Sequence, residues 1–114
     1  MDHEIQYIKH IKEYFKNIDV IIEDLNDYPT HIPDIFEKRE DKEKIQWHEV
    51  AWQYDDTLNE ESQIRECLYP AMYVLNHHME KIKAEGHEVI PIIRLMKIKI
   101  SPKVSHMVLD YFWV

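Results

Sequence analysis

Apolar residues recur through the first 25 positions at intervals of three and four: Ile5, Ile8, Ile11, Phe15, Ile18, Ile22 and Leu25. That spacing puts them on one stripe of a 3.6-residue helix and predicts a helix up to about Ile18. Asp2 is placed to cap its N-terminus, and Lys9 with Glu13 to pair along its outer face. From Asp19 the pattern divides, because DVIIEDL either prolongs the helix or forms a short strand. Residues 26–35, NDYPTHIPDI, hold two prolines and several turn formers and read as a loop. Residues 37–44, EKREDKEK, are wholly charged and belong at the surface, as the outer face of a short helix or the tip of a long connection.

Residues 45–54 fit two templates. As a strand, His48, Val50, Trp52 and Tyr54 share one face; as a helix, Trp47, Val50, Ala51 and Tyr54 align. Aromatic and β-branched residues favour the strand. Trp47 and Trp52 then point to opposite faces, one into the core and the other less covered.

Residues 60–85 carry the stripe Ile64, Cys67, Leu68, Ala71, Met72, Leu75, Met79 and Ile82, which predicts a central helix. Pro70 interrupts it. A proline inside a helix removes a backbone bond and costs about 3 kcal/mol, so a short helix near 61–69 is expected to kink or to restart with Pro70 in its first turn. Gly86 suits a left-handed C-cap. In residues 88–100, Met96, Ile98 and Ile100 alternate with Lys97 and Lys99, a strand pattern. Strand 45–54, helix 61–85 and strand 89–100 compose a βαβ unit with parallel strands. The tail from Ser101 reads either as a helix with Val104, Met107, Val108 and Tyr111 inward or as a hairpin into a final strand, and its YFWV ending favours the strand. The expected fold is one α+β domain, 1–114. It has a small mixed sheet of about three strands, an N-terminal helix and a central crossover helix within a βαβ unit near 45–100.

Composition narrows the function. With 45% apolar and 32% charged residues the chain is globular. Its single cysteine, Cys67, forms no disulfide within the chain and suggests a reducing compartment. The first residues lack the pattern of a secretory signal, and the longest apolar run, YPAMYVL, falls far short of the roughly eighteen residues of a membrane span. A cytoplasmic protein is expected. One glycine leaves no room for a phosphate-cradling loop.

The net charge of −8 is unevenly spread. Residues 19–66 hold fifteen acids and five bases, a balance of −10, whereas residues 1–18 are neutral and residues 67–114 carry +2. A surface of this sign repels nucleic acid and attracts basic partners.

Catalytic patterns are weak. His48-Glu49 lacks the second histidine of HExxH, His77 and His78 diverge on a helix, and Cys67 has no CxxC partner. No metal and no cofactor are expected. Asp55-Asp56 at an exposed turn would both stay ionised, which does not suit acid–base catalysis. The remaining reading is an interaction surface. Asp55, Asp56, Glu60 and Glu61 gather at one turn beside Trp52 and Tyr54, and Asp27 and Asp34 approach from the loop. The expected activity is that of an immunity protein or inhibitor that occludes the active site of a basic partner such as a toxin nuclease, without touching nucleic acid or membrane. An anti-defence protein of a mobile element that mimics nucleic acid is the alternative, and a small hydrolase or metal-dependent enzyme the alternative of another class.

Overall fold

The computed structural model describes the backbone of residues 2–114 and the side chains of residues 6–114. The expected cap at Asp2 and the stripe position Ile5 fall on side chains outside that description. The chain runs α1 (Asp2–Tyr14), β1 (Asp19–Leu25), β2 (Gln46–Gln53), α2 (Glu60–Gln63), α3 (Tyr69–Ala84), β3 (Val89–Ser101) and β4 (Val104–Trp113). Among the described residues no helix is long and apolar enough to cross a membrane.

The four strands stand in the order β1-β3-β4-β2, one more than the three expected. The extra strand is DVIIEDL. Asn17, at φ +62°, turns the chain out of α1, and β1 then pairs parallel to β3 from Asp19↔Ile92 to Leu25↔Ile98. Both β2 and β3 are antiparallel to β4 and so parallel to each other. The βαβ unit is present in split form, with β4 inserted between its two strands. The turn at Ser101 explains this. Its Oγ accepts from the backbone N–H of Val104 at 3.2 Å, closing a tight hairpin that lays the tail directly beside β3. Pro91 is tolerated because it sits where the β3–β4 register shifts, between Ile90 and Ile93.

A π-helical turn, Ile64–Leu68, joins α2 to α3. Here the Tyr69 N–H reaches back five residues to the Ile64 carbonyl. This widened turn brings Pro70 into the start of α3, where its missing N–H is tolerated. Gly86, at φ +94°, closes α3: its own N–H bonds Lys83 O and the His87 N–H bonds Ile82 O, the Schellman arrangement.

Strand alternation separates two cores. Ile93, Leu95, Leu109, Tyr111 and Val50 face the helices and pack with Tyr7, Ile11, Leu68, Met72 and Leu75. The opposite face carries Ile90 and Phe112, covered by Phe36 and Ile45 from the long 26–45 connection, and farther along it Met96, Ile98 and Val108. The wholly charged 37–44 stretch lies within this connection, with a 3₁₀ turn at Lys42–Lys44.

Candidate functional site: two acidic surfaces on opposite faces of the sheet

The turn after β2 is built by side chains that hold backbone. The Asp55 carboxylate accepts from the Thr57 N–H at 3.0 Å and from its hydroxyl at 2.6 Å, and these bonds lower its pKa. Asn59 caps α2 through the Ser62 N–H at 2.8 Å. The buried Gln63 amide donates to the Asp55 carbonyl. Asp56 is exposed at the turn, while Glu60 and Glu61 begin α2. Glu61 pairs with Arg65 at 3.4 Å, an exposed contact of little energetic weight.

Trp52 and Tyr54 pack inward, against the helix-side core. The Trp52 ring lies 6.3 Å from Tyr7, and Lys97 Nζ stands 4.7 Å from the centre of the Tyr54 ring. Trp47 does lie on the other face, beside Phe36 and Phe112. Both tryptophans are half-buried, because β2 is an edge strand and is covered mainly on its inner side.

Asp27 and Asp34 stand apart from that turn. They line a cleft of about 370 Å³ between β1 and the loop, on the face away from the helices. Ile21 and Leu25 of β1 and Pro29, Ile32 and Ile35 of the loop supply its apolar walls, while Glu23, His31 and Arg94 supply polar groups. The eight proposed contact residues therefore divide between two faces. Asp55, Asp56, Glu60, Glu61, Trp52 and Tyr54 lie on the helix side, and Asp27 and Asp34 across the sheet.

At the base of the cleft is an ion cluster. Arg94, 1% exposed, donates Nε and Nη2 to Asp110 at 3.2 and 2.7 Å, and Asp110 is fully buried. Glu23 approaches Arg94 Nη1 at 3.6 Å from the cleft side. Register places Arg94, Asp110 and Glu49 in one row across β3, β4 and β2. Burial pushes the Asp110 carboxyl up to about 6 against the opposing bonds and charge of Arg94, with Glu49 and Glu23 adding to the rise. One guanidinium thus contacts two carboxylates, Asp110 and Glu23, with the charge of Glu49 acting on Asp110 from the same row. The signal in the sequence is the single charge inside VIPIIRLM. Its partner Asp110 sits alone among apolar residues in the same way.

Near the acidic turn, α1 and α2 enclose a groove of about 330 Å³ lined by Gln6, His10, Glu60, Glu61, Ile64, Arg65 and Tyr69. The Tyr69 hydroxyl and His10 Nδ1 are 2.8 Å apart, Tyr14 packs beside Tyr69, and Tyr73 is 68% exposed. The exposed aromatic beside Glu60 and Glu61 is Tyr69, with Tyr14 packed on it, and not Trp52 or Tyr54. Tyr69 and Tyr73 stand four apart in the central helix and off its apolar stripe, which is the signal in the sequence for outward-facing aromatics.

His48 and His78 meet from β2 and α3. Their rings stack at 3.8 Å, and His78 hydrogen-bonds the buried Tyr111 hydroxyl. Among the described residues no three His, Cys, Asp or Glu side chains gather to hold a metal. Burial lowers the pKa of both histidines. For His78, the charges of His48, Lys81 and His77 add to the drop and Glu85 opposes it. Folded-state values below the unfolded 6.5 mean that the unfolded chain binds protons more readily at these two groups, so their contribution to stability is fully present above about pH 6.5 and is lost as pH falls below it, opposite in sign to that of Asp110. His48→Phe keeps a stacked ring and removes one titrating group. Between pH 7 and 5, urea midpoints are expected to fall less steeply for His48→Phe than for the parent; equal slopes would show that the stacked pair does not govern this limb.

No protein-family model matches the chain, and neither curated proteins nor solved structures give a significant match.

Proposed function

We propose that this chain is a small binding protein that neutralises a basic protein partner by covering its working surface, in the manner of an immunity protein or inhibitor. The observation that carries this reading is the cleft between β1 and the loop. It joins a cavity of about 370 Å³, apolar walls and the carboxylates of Glu23, Asp27 and Asp34 in one concave place. Ile35, 62% exposed, and Tyr28, 36% exposed, offer apolar contact in the same loop. Protein interfaces combine such anchors with a charged rim.

In this reading Asp27 and Asp34 contact basic side chains of the partner. Asp56, Glu60 and Glu61, on the other face, add to the long-range field that steers encounter, and Asp55, Trp52 and Tyr54 hold the turn that presents them. Close charge pairs change the dissociation rate, whereas distant ones chiefly change the association rate.

The test compares capture of the partner from its native cell extract by the parent and by two double variants, then measures their rate constants. Asp27→Lys with Asp34→Lys is expected to weaken binding by about tenfold or more, mainly through faster dissociation. Glu60→Lys with Glu61→Lys is expected to slow association and to leave dissociation nearly unchanged. Circular dichroism controls for folding. Unchanged affinity of the first variant at low salt would remove the cleft from the interface.

A further inference from the structure

Strand β1 is the outermost strand on its side of the sheet. β3 pairs with one side of it, and among the described residues no strand pairs with the other. An open edge presents backbone N–H and C=O groups ready to pair with added chain, and proteins blunt such edges with lysine, proline or a bulge. β1, DVIIEDL, has none of these: its pairing with β3 is unbroken, and its three charges, Asp19, Glu23 and Asp24, are all acidic. The opposite edge strand, β2, carries one carboxylate, Glu49.

Alternation along β1 ties the edge to the cleft. Ile21, Glu23 and Leu25 face the cleft and line it. Val20 and Ile22 face the helix side, and Ile22 is 39% exposed. A strand added beside β1 would lie about 4.8 Å away with its side chains alternating in step. Every second side chain would then stand at the mouth of the cleft, and the others beside Val20 and Ile22.

We propose that the open edge of β1 and the adjoining cleft together bind an extended basic segment of the partner, added to the sheet as a further strand. Its lysines or arginines enter the cleft beside Asp27, Asp34 and Glu23, and the apolar residues between them lie against Ile22. The inference rests on the reading of the protein as a binder of a basic partner. Arg94 does not oppose a cationic guest, because its charge is taken up by Asp110 beneath the cleft. Main-chain bonds along the edge supply affinity, and the cleft supplies the choice of basic side chain at alternate positions.

The experiment uses the full chain and two short blocked peptides. One alternates lysine or arginine with valine, and the other has proline at its central valine. Affinity is read by fluorescence anisotropy and pairing by amide hydrogen exchange. The alternating peptide is expected to bind and to slow exchange at alternate amides of β1, those not bonded to β3. The proline peptide is expected to bind at least about tenfold more weakly, since proline lacks the pairing N–H. Asp27→Lys with Asp34→Lys is expected to weaken the alternating peptide by a similar factor. Equal binding of the two peptides, or protection on β2 in place of β1, would overturn strand addition. If in that case charge reversal still abolishes binding, the reading of a basic partner stands without it. If neither peptide binds, the inference falls, and the reading is judged by native-partner capture alone.

Discussion

Replacing Arg94 with methionine is expected to destabilise the fold by about 3–5 kcal/mol at pH 7, the usual cost of removing one partner of a buried ion pair. Asp110 has no exposure to water. Without the guanidinium its charge would face burial and the nearby carboxylates of Glu49 and Glu23 alone. The loss should depend on pH in a defined direction. Asp110 has a folded-state pKa of about 6, above its ordinary 3.8, so the proton stabilises the folded form. That contribution is complete below about pH 3.8 and is lost as pH rises through about 6. Losing Arg94 raises the value further. The variant should therefore be much closer to the parent at pH 5 than at pH 7. Arg94→Met with Asp110→Leu should recover most of the loss, because apolar replacement of a whole buried pair is often neutral or stabilising. Denaturant unfolding of the three proteins at both pH values checks this. A single-variant loss under about 1 kcal/mol, independent of pH, would mean that the pair is solvated and resembles a surface salt bridge.

Phe36→Ala is expected to cost about 3–5 kcal/mol, the range for emptying a buried phenylalanine site. Phe36 is 2% exposed and meets Phe112 edge-on at 5.0 Å. It follows Asp34 and Ile35 in one 3₁₀ turn, Asp34–Phe36, so the ring fastens to the sheet the segment that walls the cleft. Losing it should also free that segment. Limited proteolysis should cut the variant within residues 26–45 under conditions that leave the parent whole. A variant that loses stability without new cleavage there would show that the loop is held by its other contacts.

Much of the fold was legible because it depends on local order. Lys97 and Lys99 between Met96, Ile98 and Ile100 marked β3, and Gly86 marked the end of α3. Pro70 marked a defect whose form, a π turn, depends on which carbonyl the Tyr69 N–H finds. DVIIEDL stayed divided because its apolar residues satisfy both a continued helix and a strand, and only pairing with β3 decides. The place of β4 between β2 and β3 is likewise a choice of neighbour that periodicity does not encode. The acidic turn was found from adjacency in sequence. The cleft was not, since it forms only when residues 26–36 fold back over β1, bringing Glu23 and Arg94 beside Asp27 and Asp34. Sequence also named Trp52 and Tyr54 as anchors from their composition, whereas the packing of β2 turns both toward the helix-side core.

The central claim is that the partner covers the cleft, and amide hydrogen exchange of the full chain with and without its captured partner tests it most directly. Protection is expected over residues 20–35, with little change at Glu60, Glu61 and the exposed tyrosines Tyr69 and Tyr73. Protection confined to residues 60–73, with residues 20–35 exchanging as in the free chain, would contradict the account and move the interface to the helix side.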